Sequence, residues 1–230
     1  MGALYLLQDN INAANKAFSH AQALDPGLAR AWIGQAMVAS VMGSREALDL
    51  LRHAFELFPH PTAALGFAAR VVAAITPENE VQALQLLSND ALQFGNLGAI
   101  PIGHVEAYCQ QAAVALARYC HTPQGQQDAT ARCLQAVVYE RLQLHGAAVT
   151  AWEQCRGLLE TTAVDRQRLA QLGLARALCM AGNIAKGVQL YGELVPNEFG
   201  HVCQWGRALV QAGQLPQAFQ VRGSRRISTR

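Results

Sequence analysis

The sequence predicts an all-α fold, a superhelical solenoid of antiparallel helix hairpins, and three observations carry that reading. Ala, Leu and Gln dominate, while β-branched residues are thin and seldom alternate with polar ones, a composition suited to helices. Glycine and proline recur at short intervals (Pro26, Gly43, Pro59, Pro77, Gly95, Pro123, Gly146, Gly182, Pro196, Gly213). They cut the chain into segments of the size of repeat helices. Small and bulky residues also return at fixed stations, as stacked hairpins require, because two helices approach closely only where a small residue faces a large one.

The stations can be followed along the chain. Gly2 and Tyr5 stand three residues apart, with Ala14 nine beyond Tyr5. Ala14, Phe18, Ala21 and Pro26 then follow in steps of four, three and five. The same steps join Ala47, Leu51, Ala54 and Pro59, and the set recurs after thirty-three residues. Trp32 opens this second unit. The three–nine–four–three spacing returns as Ala136, Tyr139, Ala148, Trp152 and Cys155, and again as Ala175, Leu178, Gly187, Tyr191 and Leu194. A last partial copy is Gly206, Leu209 and Ala218. The aromatic stations Trp32, Tyr139, Trp152 and Tyr191 are expected in the core, with Trp205, beside Gly206, facing the same core.

The middle is less regular. Residues 61–95 read as a helix pair, Thr62–Ile75 and Glu78–Phe94, in which Ala83 and Leu87 alone keep the second-helix spacing. One further amphipathic helix is expected from Ile102 to Tyr119, before the loop His121–Gly125. The stack is therefore expected to be continuous, with a local irregularity around 96–126.

This spacing resembles the tetratricopeptide repeat, a helical hairpin of about 34 residues with a small–x–x–aromatic station in its first helix and an Ala–x–x–x–aromatic station in its second. Pro26 and Pro59 end units where that family favours proline, and Trp32 stands where it favours tryptophan. More specific runs are Gly2-Ala-Leu-Tyr-Leu, Ala17-Phe18, Ala21-Gln-Ala-Leu-Asp-Pro26 and Ala31-Trp-Ile-Gly-Gln-Ala-Met37. Gly43-Ser44, Asp49-Leu-Leu-Arg-His53, Glu56-Leu57, Ala64-Leu-Gly66 and Ala99-Ile-Pro101 follow. Together they resemble the middle of the tetratricopeptide scaffolds of the superkiller complex, most densely over residues 2–70. The resemblance implies a non-catalytic cytoplasmic scaffold, with nuclear residence also open. Its implied partners are a DExH RNA helicase and WD-repeat subunits, and indirectly the RNA exosome, to which RNA is delivered for 3′-to-5′ mRNA decay. In that family the partners dock largely on the C-terminal part, so the resemblance implies a region that keeps the fold without the main docking surfaces.

By the spacing, Met1 falls in the middle of a first helix, and the last copy stops at Val221. The chain thus reads as an array over 1–221, cut within a repeat at both ends, followed by a basic disordered tail, 222–230. A piece of a longer array, an unusual isoform and an incomplete gene model all fit. Four of the eighteen cations (Arg222, Arg225, Arg226, Arg230) sit in that tail. With a net charge of +2, the rest is slightly acidic and direct RNA binding is expected to be weak at most.

Composition narrows the classes further. A hydrophobic fraction of 51% against 15% charged residues supplies a core and excludes intrinsic disorder. The most apolar stretch, Ala63–Ile75, is short and contains Arg70, so no membrane span is expected. Six cysteines (Cys109, Cys120, Cys133, Cys155, Cys179, Cys203) are scattered singly in helical patterns, as small core residues of a reducing compartment would be.

Catalytic and cofactor motifs do not occur. Phosphate loops of the G-x-x-x-x-G-K-[ST] or G-x-G-x-x-G type and the G-x-S-x-G elbow are missing from the sequence. His201 with Cys203, and Cys120 with His121, lack a second pair at zinc-site distance. His53 reads as a helix-surface residue. Glu78, Glu80 and Asp165 read as helix-start charges. The chain is therefore expected to be no enzyme and to hold no cofactor or metal. The alternative function is a tetratricopeptide co-chaperone or transport adaptor that clamps peptide segments. Against a carboxylate clamp, the first helix of the second unit offers Gln35, Ala39 and Ser40 where cations would be needed.

Overall fold

The computed structural model describes residues 1–76, 102–160, 163–194, 199–214 and 217–218, and every regular element among them is helical. The expected helix Glu78–Phe94, with Ala83 and Leu87, lies outside the described residues, as does the tail 222–230. The chain divides into two compact units, Met1–Leu142 and Gln143–Arg230.

The first unit contains α1 (Gly2–Leu7), α2 (Ile11–Leu24), α3 (Ala29–Val41), α4 (Glu46–Leu57) and α5 (Pro61–Ile75). A 3₁₀ turn (Ile102–His104) leads into α6 (Val105–Cys120), followed by α7 (Pro123–Gln126) and α8 (Ala129–Arg141). From α1 to α5 each helix packs on the next, the nearest-neighbour order of a repeat stack. The order then changes: α5 packs on α6, and α8 packs on both α6 and α5. The second unit contains α9 (His145–Leu158), α10 (Val164–Met180), α11 (Ile184–Glu193) and α12 (Phe199–Gln211), again packed in sequence.

Helix ends follow one pattern. After α1, α3, α8, α10 and α12, the second residue beyond the helix turns left-handed: Asp9 (φ 54°), Gly43 (68°), Gln143 (58°), Gly182 (86°) and Gly213 (72°). Three are glycine, which adopts this region without a Cβ penalty. The next amide donates back five residues, from Asn10 to Tyr5 O (2.9 Å), Ser44 to Ala39 O (2.8 Å), Asn183 to Leu178 O and Gln214 to Leu209 O (both 2.9 Å). These paired bonds satisfy carbonyls that a helix end leaves free. Starts are fixed as firmly. Asn10 Oδ1 accepts from the Ala13 amide (3.1 Å), and Asp128 Oδ1 accepts from the Thr130 and Ala131 amides (2.9 and 3.1 Å). His60 Nδ1 accepts from Thr62 (3.2 Å), with Pro61 at the first helical position of α5.

Between helices, aromatic rings fill the space left by missing side chains. Phe18 of α2 covers Gly2 of α1 and Gly34 of α3, and a Cβ on either glycine would overlap its ring. Trp152 of α9 covers Gly173 of α10 in the same way. Gly187 lets α11 approach α10 so closely that a Cβ would stand 2.9 Å from the Ala175 carbonyl oxygen. Leu172, Ala175, Tyr191, Leu194 and Ala208 form one core cluster, with Trp205 packed half-buried against it.

Candidate functional site

Most of the residues expected at repeat stations lie in the interior. Gly2, Ala14, Ala47, Leu51, Ala54, Ala136, Ala148, Trp152, Cys155, Ala175, Leu178, Gly187, Tyr191, Leu194, Gly206, Leu209 and Ala218 are buried. Tyr5, Phe18, Ala21 and Pro59 are half-buried, and Pro26 is exposed. Trp32 and Tyr139 depart from the expected core position and are half-buried. The physical reason is polar: the Trp32 indole N–H donates to the Pro26 carbonyl (2.8 Å), and Tyr139 Oη accepts from Gln135 (2.9 Å). His53 lies at the helix surface, as expected, with its ring edge-on to Trp32 and centroids 4.4 Å apart. Asp165 lies in the first turn of α10. Glu78, Glu80, Thr161 and Thr162 lie outside the described residues.

Chemistry-bearing groups do not converge. Cys109, Cys120, Cys133 and Cys155 are buried and Cys179 is half-buried. Burial pushes the thiols of Cys109, Cys120 and Cys179 above their ordinary value, which disfavours the nucleophilic thiolate. Among the described residues no three His, Cys, Asp or Glu side chains stand together as a metal site would require. Nor is any described helix long and apolar enough to cross a membrane.

Two surfaces of the first unit are shaped for contact. One is a cleft of about 250 Å³ between α4, α5 and α6, floored by buried Phe55, Phe67 and Ala115 and flanked by Arg52, Val114 and Arg118. Small-molecule pockets run to about 300–1,000 Å³, so the cleft suits one large side chain better than a metabolite. Arg52 is paired with Asp49 (3.3 Å), whereas the Arg118 guanidinium lies over the Phe55 ring, 5.0 Å from its centroid.

The other surface joins α3 and α5, which Arg70 and Ser40 link. Met37 (42% exposed) and Val41 (63%) flank Ser40 on one face of α3. Arg70 reaches over from α5, donating through Nη2 to Ser40 Oγ (2.5 Å) and through Nη1 to Gly66 O (3.1 Å). In the sequence Arg70 stands out only as a charge that interrupts the apolar stretch Ala63–Ile75. Its partner Ser40 lies thirty residues away, and no local pattern announces that contact.

No family model matches the chain. Among curated proteins it is 30% identical over 221 residues to "Tetratricopeptide repeat protein 37" of Xenopus laevis, a match covering 96% of this chain and 13% of that protein. It is 33% identical over 189 residues to "Superkiller complex protein 3" of Homo sapiens, covering 82% and 11% respectively. The protein of that name from Mus musculus is 30% identical over 215 residues, covering 93% and 13%. The chain thus spans about an eighth of the length of the curated relatives it matches.

Proposed function

We propose, from the membership of the tetratricopeptide-repeat family that the helical stack and these relatives support, that the chain is a non-catalytic scaffold segment of a superkiller complex. The observation that carries the reading is the similarity to two proteins named for that complex over 82% and 93% of this chain. The physics of the fold favours such a role. Stacked hairpins leave faces of side chains for partner proteins, and they pack through their own side chains, as Phe18 does on Gly2 and Gly34.

In this reading the chain supports a DExH RNA helicase and WD-repeat subunits, and through them the delivery of RNA to the cytoplasmic exosome for 3′-to-5′ decay. Its own part is positional. It presents surface and contributes no group to RNA chemistry.

The test is a tagged pull-down of this chain from cytoplasmic extract, beside the longest natural form of the same gene product, with partners identified by mass spectrometry. The long form is expected to recover a DExH helicase and a WD-repeat protein, and the short chain then reports whether these repeats suffice for docking. Recovery of chaperones or cargo motors in their place overturns the assignment and favours a peptide-clamping adaptor.

A further inference from the structure

Arg70 is an unusual cation for a helical stack. Its residue is half-buried, its Nε–H is covered, and that donor has no hydrogen-bond acceptor. Its two hydrogen bonds go to a neutral hydroxyl and a backbone carbonyl, and no carboxylate among the described residues pairs with it. Ser40 does not depend on the contact, because its own hydroxyl donates to Ala36 O (2.6 Å). A guanidinium withdrawn from water without a counter-charge is costly, and burial holds the Arg70 pKa below its ordinary value. A guanidinium has five donors and this one uses two, so the fork still has capacity for a carboxylate.

We propose that the face formed by α3 and α5 binds an acidic segment of a partner polypeptide, with one carboxylate on Arg70 and an apolar side chain over Met37 and Val41. The inference stands on this face alone, whichever assembly the chain serves. The flanking groups choose the class of partner. A nucleic-acid backbone needs a row of cations, whereas α3 and α5 carry one guanidinium each, Arg30 near the start of α3 and Arg70 beside Ser40 near its end, and Arg70 is bordered by two exposed apolar side chains. That pairing of one charge with adjacent apolar surface complements a peptide carrying an Asp or Glu beside a Leu, Ile or Met.

The experiment measures binding of fluorescein-labelled peptides to the 230-residue chain by anisotropy, using alternating Glu–Leu and Gln–Leu decapeptides. The Glu peptide is expected to bind at least tenfold more tightly than the Gln peptide, and Arg70→Met should abolish the difference. The same variant should keep or raise the melting temperature, because it removes an unpaired charge and leaves Ser40 bonded. Met37→Glu is the second variant: it leaves Arg70 in place but exchanges apolar surface for an anion at the rim, and should weaken both peptides, the Glu peptide more. The proposal falls if both peptides bind alike, if the preference survives Arg70→Met, or if Met37→Glu leaves it undiminished. It also falls if Arg70→Met lowers the melting temperature, which would make Arg70 a structural donor. Tighter binding of a single-stranded oligonucleotide, lost in Arg70→Met, would overturn the polypeptide assignment.

Discussion

The indole of Trp152 occupies the space that a side chain on Gly173 would need, with Cε2 and Cζ2 2.5 Å from the position of a Cβ. A ring in that position cannot retreat without opening the α9–α10 interface. Gly173→Ala is therefore expected to destabilise the second unit by about 1–3 kcal/mol, the usual cost of overpacking. Gly34→Ala should do the same in the first unit through Phe18. Urea unfolding checks both, and the double variant Gly34→Ala with Phe18→Leu supplies the control. Because the smaller side chain makes room, the pair should cost less than the sum of its members. Additive costs would mean that ring and glycine do not share the space.

Among the described residues, five turns after helices pass through the left-handed region, yet two of them lack glycine. Asp9 is tolerable there because a short polar side chain visits that region more readily, whereas Gln143 (φ 58°) has no such excuse. Gln143→Gly is expected to stabilise the chain by about 0.5–1 kcal/mol, net of the entropy that glycine gives the unfolded state. Gly182→Ala should cost about 1 kcal/mol or more for the reverse reason. A lower urea midpoint for Gln143→Gly would contradict the reading.

Much of this packing was legible in the sequence, and the exceptions share a cause. Small stations such as Ala14, Ala47, Ala148 and Ala175 recur at a spacing set by the helix itself, so a one-dimensional pattern finds them, and all four are buried. Helix bounds follow from local chemistry too: the expected Thr62–Ile75 is observed as Pro61–Ile75, and Ile102–Tyr119 as the 3₁₀ turn plus α6. Gly34 and Gly173 lie off the station spacing, and only the ring that each one meets reveals its role. Arg70 was illegible for the same reason, since its partner sits on another helix. Trp32 lies shallower than its station predicts, because a station fixes which way a residue faces but not how deep it lies at a hairpin edge.

Trp32 and Trp152 therefore provide a paired test of depth. Trp152 is 1% exposed, so Trp152→Ala should cost about 3–5 kcal/mol, as for other buried tryptophans. Trp32→Ala should cost less, about 2 kcal/mol, because a half-buried ring already keeps part of its surface in water. Trp32→Phe isolates the indole bond to Pro26 O and should cost about 0.5–1.5 kcal/mol. Equal losses for the two alanine variants, measured by thermal or urea unfolding, would place Trp32 in the core after all.

Asp128 joins two jobs in one carboxylate. Oδ1 caps α8, while Oδ2 accepts the phenol hydrogen of buried Tyr119 at 3.0 Å. Burial first, and then the neighbouring Asp128 charge, push the Tyr119 phenol above its ordinary value. Asp128→Ala should cost about 2–3 kcal/mol, because it removes a cap and strands a buried hydroxyl. Asp128→Asn keeps an oxygen for the cap and should cost less. If Tyr119→Phe in the Asp128→Ala background recovers no stability, the stranded hydroxyl is not the source of the loss.

His60 gives the fold a pH dependence whose sign can be worked out. Its Nδ1 accepts from the Thr62 amide, a bond open only to the neutral ring on that nitrogen. Burial, and then the positive charge of Arg30, hold its pKa below the ordinary imidazole value. The unfolded chain therefore takes up a proton at a higher pH than the folded one does. The contribution to stability is complete above the unfolded pKa of about 6.5 and is lost as the pH falls through the folded value. The urea midpoint should accordingly drop between about pH 7.5 and about pH 5.5. His60→Asn keeps a side-chain cap for α5 but cannot titrate, so its midpoint should fall less over the same range. The other six histidines are common to both proteins and cancel in the comparison. An unchanged slope in His60→Asn would remove His60 as the cause.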